Sequence, residues 1–183
     1  KAGIRPIIGC ELYVAPRSRF DKVYELDGDP SHLVLLCESM EGYQNLIKLC
    51  SAGFLQGFYN KPRVDWELLQ QHSRGLICLS ACLAGEVQQL LMHGNYEGAR
   101  DCALRYAALF GPEHYYLELQ DHGIPEQKAV NEGLLRIHNE TGIPLVCTND
   151  AHYLRREDST MQDVLLCVQT GKTMDDPDRM RFD

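Results

Sequence analysis

Asp150 and His152 stand two residues apart just beyond the apolar run Pro144 to Thr148. At that spacing on an extended chain a carboxylate and a neutral imidazole lie on the same side, where both can serve one metal cluster. Oxygen and nitrogen donors together suit zinc, manganese or iron, and a thiolate from Cys82 shifts the preference towards zinc. The two residues also have an ordinary reading, with the aspartate capping a turn and the histidine bonded to backbone. Glu11 interrupts the apolar stretch Ile4 to Val14, where a carboxylate must be paired, exposed or metal-bound. Taken alone, His32 reads as the start of the strand Leu33 to Cys37, and Cys82 as a packed thiol.

Other chemistry-bearing residues collect where strands should end. Ser80-Ala81-Cys82 follows one apolar run, and Glu118, Gln120, Asp121 and His122 follow another. No G-x-S-x-G elbow surrounds Ser80, so metal-assisted hydrolysis is preferred over covalent catalysis. Neither a Walker A pattern nor a G-x-G-x-x-G after a strand is present, which excludes nucleotide binding through a phosphate loop. Lys61-Pro62-Arg63 offers two cations that could meet a phosphate. His72, His93, His114 and His138 read as surface or capping residues.

The elements that must position these groups alternate. Ile4 to Val14, Leu33 to Cys37, Gly75 to Ser80, Tyr115 to Gln120 and Pro144 to Thr148 read as strands. Helical patterns run over Glu41 to Leu55, Asp65 to Gln71, Gly85 to Met92, Tyr96 to Phe110, Pro125 to Thr141 and Arg156 to Thr170. Alternation of this kind predicts an α/β fold with a largely parallel sheet, open or closed into a barrel, with functional groups beyond the carboxyl ends of the strands. The polar stretch between Val14 and Leu33 lacks a helical pattern and predicts a long hairpin. One partial domain is expected over residues 1–183, cut at both ends: Lys1-Ala2-Gly3 reads as a helix tail, and Asp175 to Asp183 as polar and unfinished.

The 183 residues carry 18 Lys plus Arg against 26 Asp plus Glu, a net charge of −8, so duplex DNA is not drawn to this segment by long-range attraction. Bound divalent cations would reverse that sign locally. At 44% hydrophobic residues the chain can bury a core, and disorder is excluded. The longest apolar run, Gly75 to Gly85, is far shorter than the roughly 18 residues of a membrane span. Eight cysteines without a C-x-x-C pair, mostly inside apolar segments, predict free thiols in a reduced, cytoplasmic protein with no structural disulfides.

Several segments occur in one order: Pro6-Ile7-Ile8-Gly9-Cys10-Glu11, His32-Leu33-Val34-Leu35-Leu36, Leu79-Ser80-Ala81-Cys82-Leu83-Ala84-Gly85-Glu86, Tyr116-Leu117-Glu118-Leu119-Gln120-Asp121-His122-Gly123, and Thr148-Asn149-Asp150-Ala151-His152-Tyr153. With Tyr59-Asn60-Lys61-Pro62-Arg63 and the stretch from Gln169 to Phe182, they make the chain resemble the PHP (polymerase and histidinol phosphatase) domain of bacterial DNA polymerase III alpha subunits. The resemblance implies part of a distorted (β/α)7 TIM-like barrel with up to three divalent metals, zinc or else manganese or iron. Glu11, His32, Cys82, Asp150 and His152 match ligand positions. It implies that Glu11 bridges two metals, that His32 and Cys82 complete the second, and that Asp150 joins the first and His152 the third. The remaining ligands are expected upstream of residue 1, so the fragment by itself is expected to be inactive.

The resemblance further implies a parent that synthesises DNA with other replicase subunits, its PHP domain acting as a 3′ to 5′ proofreading exonuclease on DNA ends. Glu118 and His122 would then serve as supporting or proton-transfer groups, and Arg63 would hold the substrate phosphate. Two other readings are a non-catalytic module supporting the polymerase and a free-standing phosphatase acting on a small phosphate ester.

Overall fold

The computed structural model describes residues 2–181, in two compact units, Lys1–Thr148 and Asn149–Asp183. The first unit opens with β1 (Gly9–Val14), α1 (Tyr24–Asp27), β2 (Ser31–Cys37), α2 (Met40–Leu55), β3 (Arg63–Val64) and α3 (Trp66–His72). It continues with β4 (Leu76–Leu79), α4 (Glu86–Met92), α5 (Tyr96–Phe110), β5 (Tyr115–Leu119), α6 (Pro125–Thr141) and β6 (Leu145–Cys147). The second holds a single 3-10 turn (Arg156–Asp158) and α7 (Ser159–Thr170), which Gly171 ends in the left-handed conformation at φ 67°.

Local chemistry explains the helix ends. The Ser39 hydroxyl accepts the Gly42 N–H at the start of α2, the Asp65 carboxylate that of Leu68 in α3, and the Asn95 side chain that of Gly98 in α5. Pro125 opens α6, where a missing N–H is harmless, and Gly142 closes it at φ 76°.

The strands form one open sheet in the order β3-β1-β2-β4-β5-β6. The pairs β1/β3, β4/β5 and β5/β6 are parallel, whereas β2 runs antiparallel to both β1 and β4. The expected hairpin is therefore the β1/β2 pair, set into a mostly parallel α/β sheet that fits part of a TIM-like barrel. Leu12, Val14, Leu33 and Leu35 on one side of this pair are buried in the core with Leu49, Cys78, Tyr115, Leu117 and Leu134. Glu11, Tyr13, His32 and Val34 lie on the other side, because side chains alternate along a strand.

Three elements differ from the sequence reading. The first strand begins at Gly9 and not at Ile4; Ile4 and Ile7 stay 83% and 76% exposed. An apolar run makes a strand only where a neighbour pairs with it. β3 is two residues long and carries an arginine, and α1 is a single turn inside the hairpin connection, both too short for a periodic signal.

That connection is held from within by Arg63. Its side chain is wholly buried and donates to the carbonyl oxygens of Gly57, Asp27, Arg19 and Asp21, at 2.8 to 3.2 Å. Arg17 closes on the buried Asp27 carboxylate with two hydrogen bonds of 3.0 and 2.7 Å, and the Val23 N–H donates to the same group. Arg19 pairs with Asp65 at 2.9 Å.

Replacing Arg63 by Met keeps the aliphatic bulk and leaves buried carbonyls without a donor. R63M is expected to lose about 3 kcal/mol or more of stability, read from the denaturant midpoint. The Arg17 hydrogen bond holds the Asp27 carboxyl below its usual range. A depressed folded pKa gives stability that is present above the unfolded value of about 4 and is lost as pH falls through the folded one. The D27N variant should therefore show a flatter decline on the acid side of a pH–stability curve than the parent protein; equal slopes would refute this.

Candidate metal centre

Glu11, His32 and Cys82 are brought together, with one ligand atom from each lying within 4.8 Å of the others. Register does half of this. Glu11 pairs with Val34 and Tyr13 with His32, so Glu11 and His32 are diagonal neighbours on one side of the β1/β2 pair. His32 Nδ1 stands 3.2 Å from Glu11 Oε1. The Tyr13 ring meets the imidazole edge-on at 5.0 Å between centroids and fixes its plane.

The loop after β4 does the other half. His32 donates its backbone N–H to the Ala84 carbonyl at 2.9 Å, so residues 80–85 run back along the start of β2. This carries the Cys82 thiol to 3.6 Å from His32 Nδ1. Ala81 takes the left-handed conformation at φ 67°, which a non-glycine residue holds only when its surroundings enforce it.

Glu118 enforces it. Its buried carboxylate accepts the Ala81 N–H at Oε2 and the Thr148 hydroxyl at Oε1, the latter at 2.7 Å. The Ser80 hydroxyl accepts the Glu118 N–H at 2.8 Å and a Gln88 amide hydrogen at 2.7 Å. Gln88 also donates to the Ala81 carbonyl at 3.0 Å, so the loop is gripped from both sides. Gln88, Tyr13 and Thr148 carry no distinct sequence signal, and Ser80 stood out only as a strand-end hydroxyl. Each is an ordinary residue in an apolar segment or a strand end, and only the fold gives it a polar partner.

The donor set fits a divalent cation of the zinc class: carboxylate oxygen, imidazole nitrogen and thiol sulfur at one point. The electrostatics agree. Hydrogen bonds to the Cys82 thiol, and next to the Glu11 carboxylate, outweigh burial and raise His32 to about 10. The surroundings thus favour positive charge at this point.

Asp150 and His152 lie in the second unit, on the chain after β6 and not on a strand. Asp150 is left-handed at φ 45°, a conformation that aspartate tolerates better than most residues. His152 directs Nδ1 to the Asp150 carbonyl at 2.7 Å. A carbonyl can only accept, so the neutral ring carries its proton on Nδ1 and its lone pair on Nε2, the tautomer that ligating histidines adopt. Same-side placement on a strand, expected from the D-x-H spacing, is thus replaced by irregular chain that bends at His152, with the imidazole bonded to backbone.

His122 is exposed, and Gln127 takes its backbone N–H at 2.7 Å while facing its Nδ1 at 2.8 Å. Arg63 requires a correction. The buried guanidinium directs its donors at four carbonyl groups of its own fold, and this placement gives it the part of an internal strut instead of a phosphate-holding group.

Comparison with known proteins bears on the same residues. Residues 1–122 match the family model of the PHP domain, a span containing Glu11, His32, Cys82, Glu118 and His122. The chain is 51% identical over 181 residues to the DNA polymerase III subunit alpha of Treponema pallidum, covering 98% of this chain and 16% of that protein. It is 45% identical over 182 residues to the same subunit of Thermus aquaticus, covering 98% and 15%. Against that of Deinococcus radiodurans it is 48% identical over 183 residues, covering 98% and 14%. The chain thus spans about one-sixth or less of the length of these relatives. With some two-thirds of its residues matched by the family model, the chain belongs to the PHP domain family.

Proposed function

We propose that this chain is the metal-binding PHP part of a bacterial DNA polymerase III alpha subunit, a cytoplasmic replication protein, and that it serves hydrolysis at DNA 3′ ends. The observation that carries the reading is the convergence of Glu11, His32 and Cys82 within 4.8 Å. Three protein donors are the complement of a catalytic zinc site, in which a further position is kept for water or substrate. Asp150 and His152 are the other proposed ligands, with the His152 ring oriented by its Nδ1 contact to the Asp150 carbonyl. When bound, the metals would activate water and neutralise charge on a phosphodiester.

The protein's own groups act around that chemistry. Glu118 positions Cys82 through the Ala81 amide, so its part is support and not proton transfer. His122, oriented by Gln127, is the proton-transfer candidate of the two. DNA and the other replicase subunits are the partners that go with this reading, and the similarity to alpha subunits along 98% of the chain favours it over a free-standing phosphatase.

In the full-length protein, D150A or H152A is expected to lower the metal content found by elemental analysis. The same variants should abolish chelator-sensitive 3′ exonuclease activity while leaving primer extension largely intact. Intact exonuclease activity in both variants would overturn the catalytic reading, and loss of polymerase folding would make the centre structural. E118Q keeps the shape but replaces one acceptor oxygen by a donor that the Ala81 N–H or the Thr148 hydroxyl must face. It should weaken metal affinity by about 10–100-fold in a chelator competition. Unchanged affinity would remove Glu118 from the support of Cys82.

A further inference from the structure

Three of the cations around the hairpin connection are engaged by the fold. Arg17 pairs with Asp27, Arg19 with Asp65, and Arg63 donates inward to carbonyl oxygens. Lys61 is exposed, and among the described residues no salt bridge takes up its charge. Its backbone is nonetheless fixed. The Tyr59 N–H donates to the Lys61 carbonyl at 3.0 Å across a left-handed Asn60 at φ 59°, and two residues later Arg63 pairs with Tyr13 where β3 joins β1. The Arg63 guanidinium, 5.1 Å from the Tyr59 ring centroid, braces the same turn. Lys61 Nζ lies 5.3 Å from the Tyr13 ring centroid, and that ring meets His32 at 5.0 Å. One aromatic side chain therefore touches both the ammonium and a residue of the metal centre, and Nζ is no farther from the imidazole than those two lengths laid end to end.

We propose that Lys61 holds a backbone phosphate of the DNA strand whose 3′ end lies at the metal centre, an inference that rests on the hydrolytic reading above. Of the two cations in Lys61-Pro62-Arg63, the fold turns one inward and leaves the other beside the site. A lysine suits this place. Its ammonium is a compact point charge on a flexible stem, which meets a phosphate without the fixed geometry that a guanidinium needs. Contact with an aromatic face is weak where water has access, so the ammonium can leave Tyr13 for a full negative charge. In a chain of net charge −8 a strand is repelled until cations meet it, and a lysine beside the donor cluster extends the favourable field of bound cations along the strand. Backbone phosphates are alike in every sequence, so this contact sets the position of the strand and not the choice of base. Lys61 is thus a binding residue, separate from the ligands Glu11, His32 and Cys82.

The test uses the full-length protein and a single-stranded oligonucleotide. Absence of chelator-sensitive 3′ exonuclease activity in the wild type would overturn the hydrolytic reading and this proposal with it. Where that activity is present, K61M is expected to raise KM about 3- to 5-fold with kcat nearly unchanged. It should also flatten the fall of log kcat/KM with the logarithm of salt concentration by about 0.7, the share of one phosphate on a single strand. K61R should restore most of both, and metal content and primer extension should stay at wild-type levels in each variant. Unchanged KM and salt slope in an active K61M would overturn the role of Lys61 alone, and loss of metal or of primer extension would overturn it by making the lysine structural. A second measurement needs neither a variant nor turnover. The wild-type protein, with metal present, is acetylated with sulfosuccinimidyl acetate and digested with trypsin, which cuts after Lys48 and Arg63 but not between Lys61 and Pro62, so one peptide reports Lys61. An oligonucleotide with phosphorothioate links at its 3′ end should slow that acetylation, whereas a circular single strand should not. Equal labelling with and without the linear strand, or equal protection by the circle, would overturn the proposal.

Discussion

The antiparallel register of β1 and β2 is the constraint on which the rest of the structure depends. With Glu11 opposite Val34 and Tyr13 opposite His32, the donors share one side while Leu12, Val14, Leu33 and Leu35 fill the core on the other. A slip of β2 by one residue would turn that strand over, putting the His32 imidazole into the core and Leu33 and Leu35 into water. At roughly 1.5–3 kcal/mol for each large aliphatic side chain, plus the cost of burying unpaired polar groups, such a slip is excluded. The hydrophobic effect thus sets the distance between Glu11 and His32, although neither residue takes part in it.

Register alone does not bring in the third donor or hold the long hairpin connection, and in both places a buried charged group does so. Arg63 acts on the connection by donating to backbone carbonyls, and Glu118 acts on the loop after β4 by accepting a backbone N–H. Each charge is inside, so each is costly unless its bonds are made, and this makes the loop conformation all-or-none. The left-handed Ala81 is the visible consequence: a strained residue held because the carboxylate beside it needs its N–H.

Much of the scaffold was legible because it rests on periodicity and punctuation. Tyr96–Phe110 and Pro125–Thr141 fall on the residues that the apolar spacing indicates. The beginning of β1 was not legible, since Ile4, Ile7 and Ile8 carry the apolar signal of a strand, whereas strand pairing begins only at Gly9. The ligand residues were legible as types, whereas their convergence is a matter of register and of the His32 to Ala84 hydrogen bond. Arg63 misled for a related reason. In the sequence it is a cation in a polar loop, and only the packing of that loop against the hairpin connection shows that its donors point at carbonyls of Arg19, Asp21 and Asp27.

The alternation that protects the register also gives β1 two chemistries. Glu11 turns its oxygen to the donor cluster, and Cys10, one residue earlier, lies on the side of the core. Charge matters at a longer range. A chain of net charge −8 repels a phosphate backbone, and the one place among the described residues where three metal-type donors meet is the place where cations would reverse that repulsion. Any attraction of a phosphate group to this part of the protein would then depend on that donor cluster, which the register of two strands brings together.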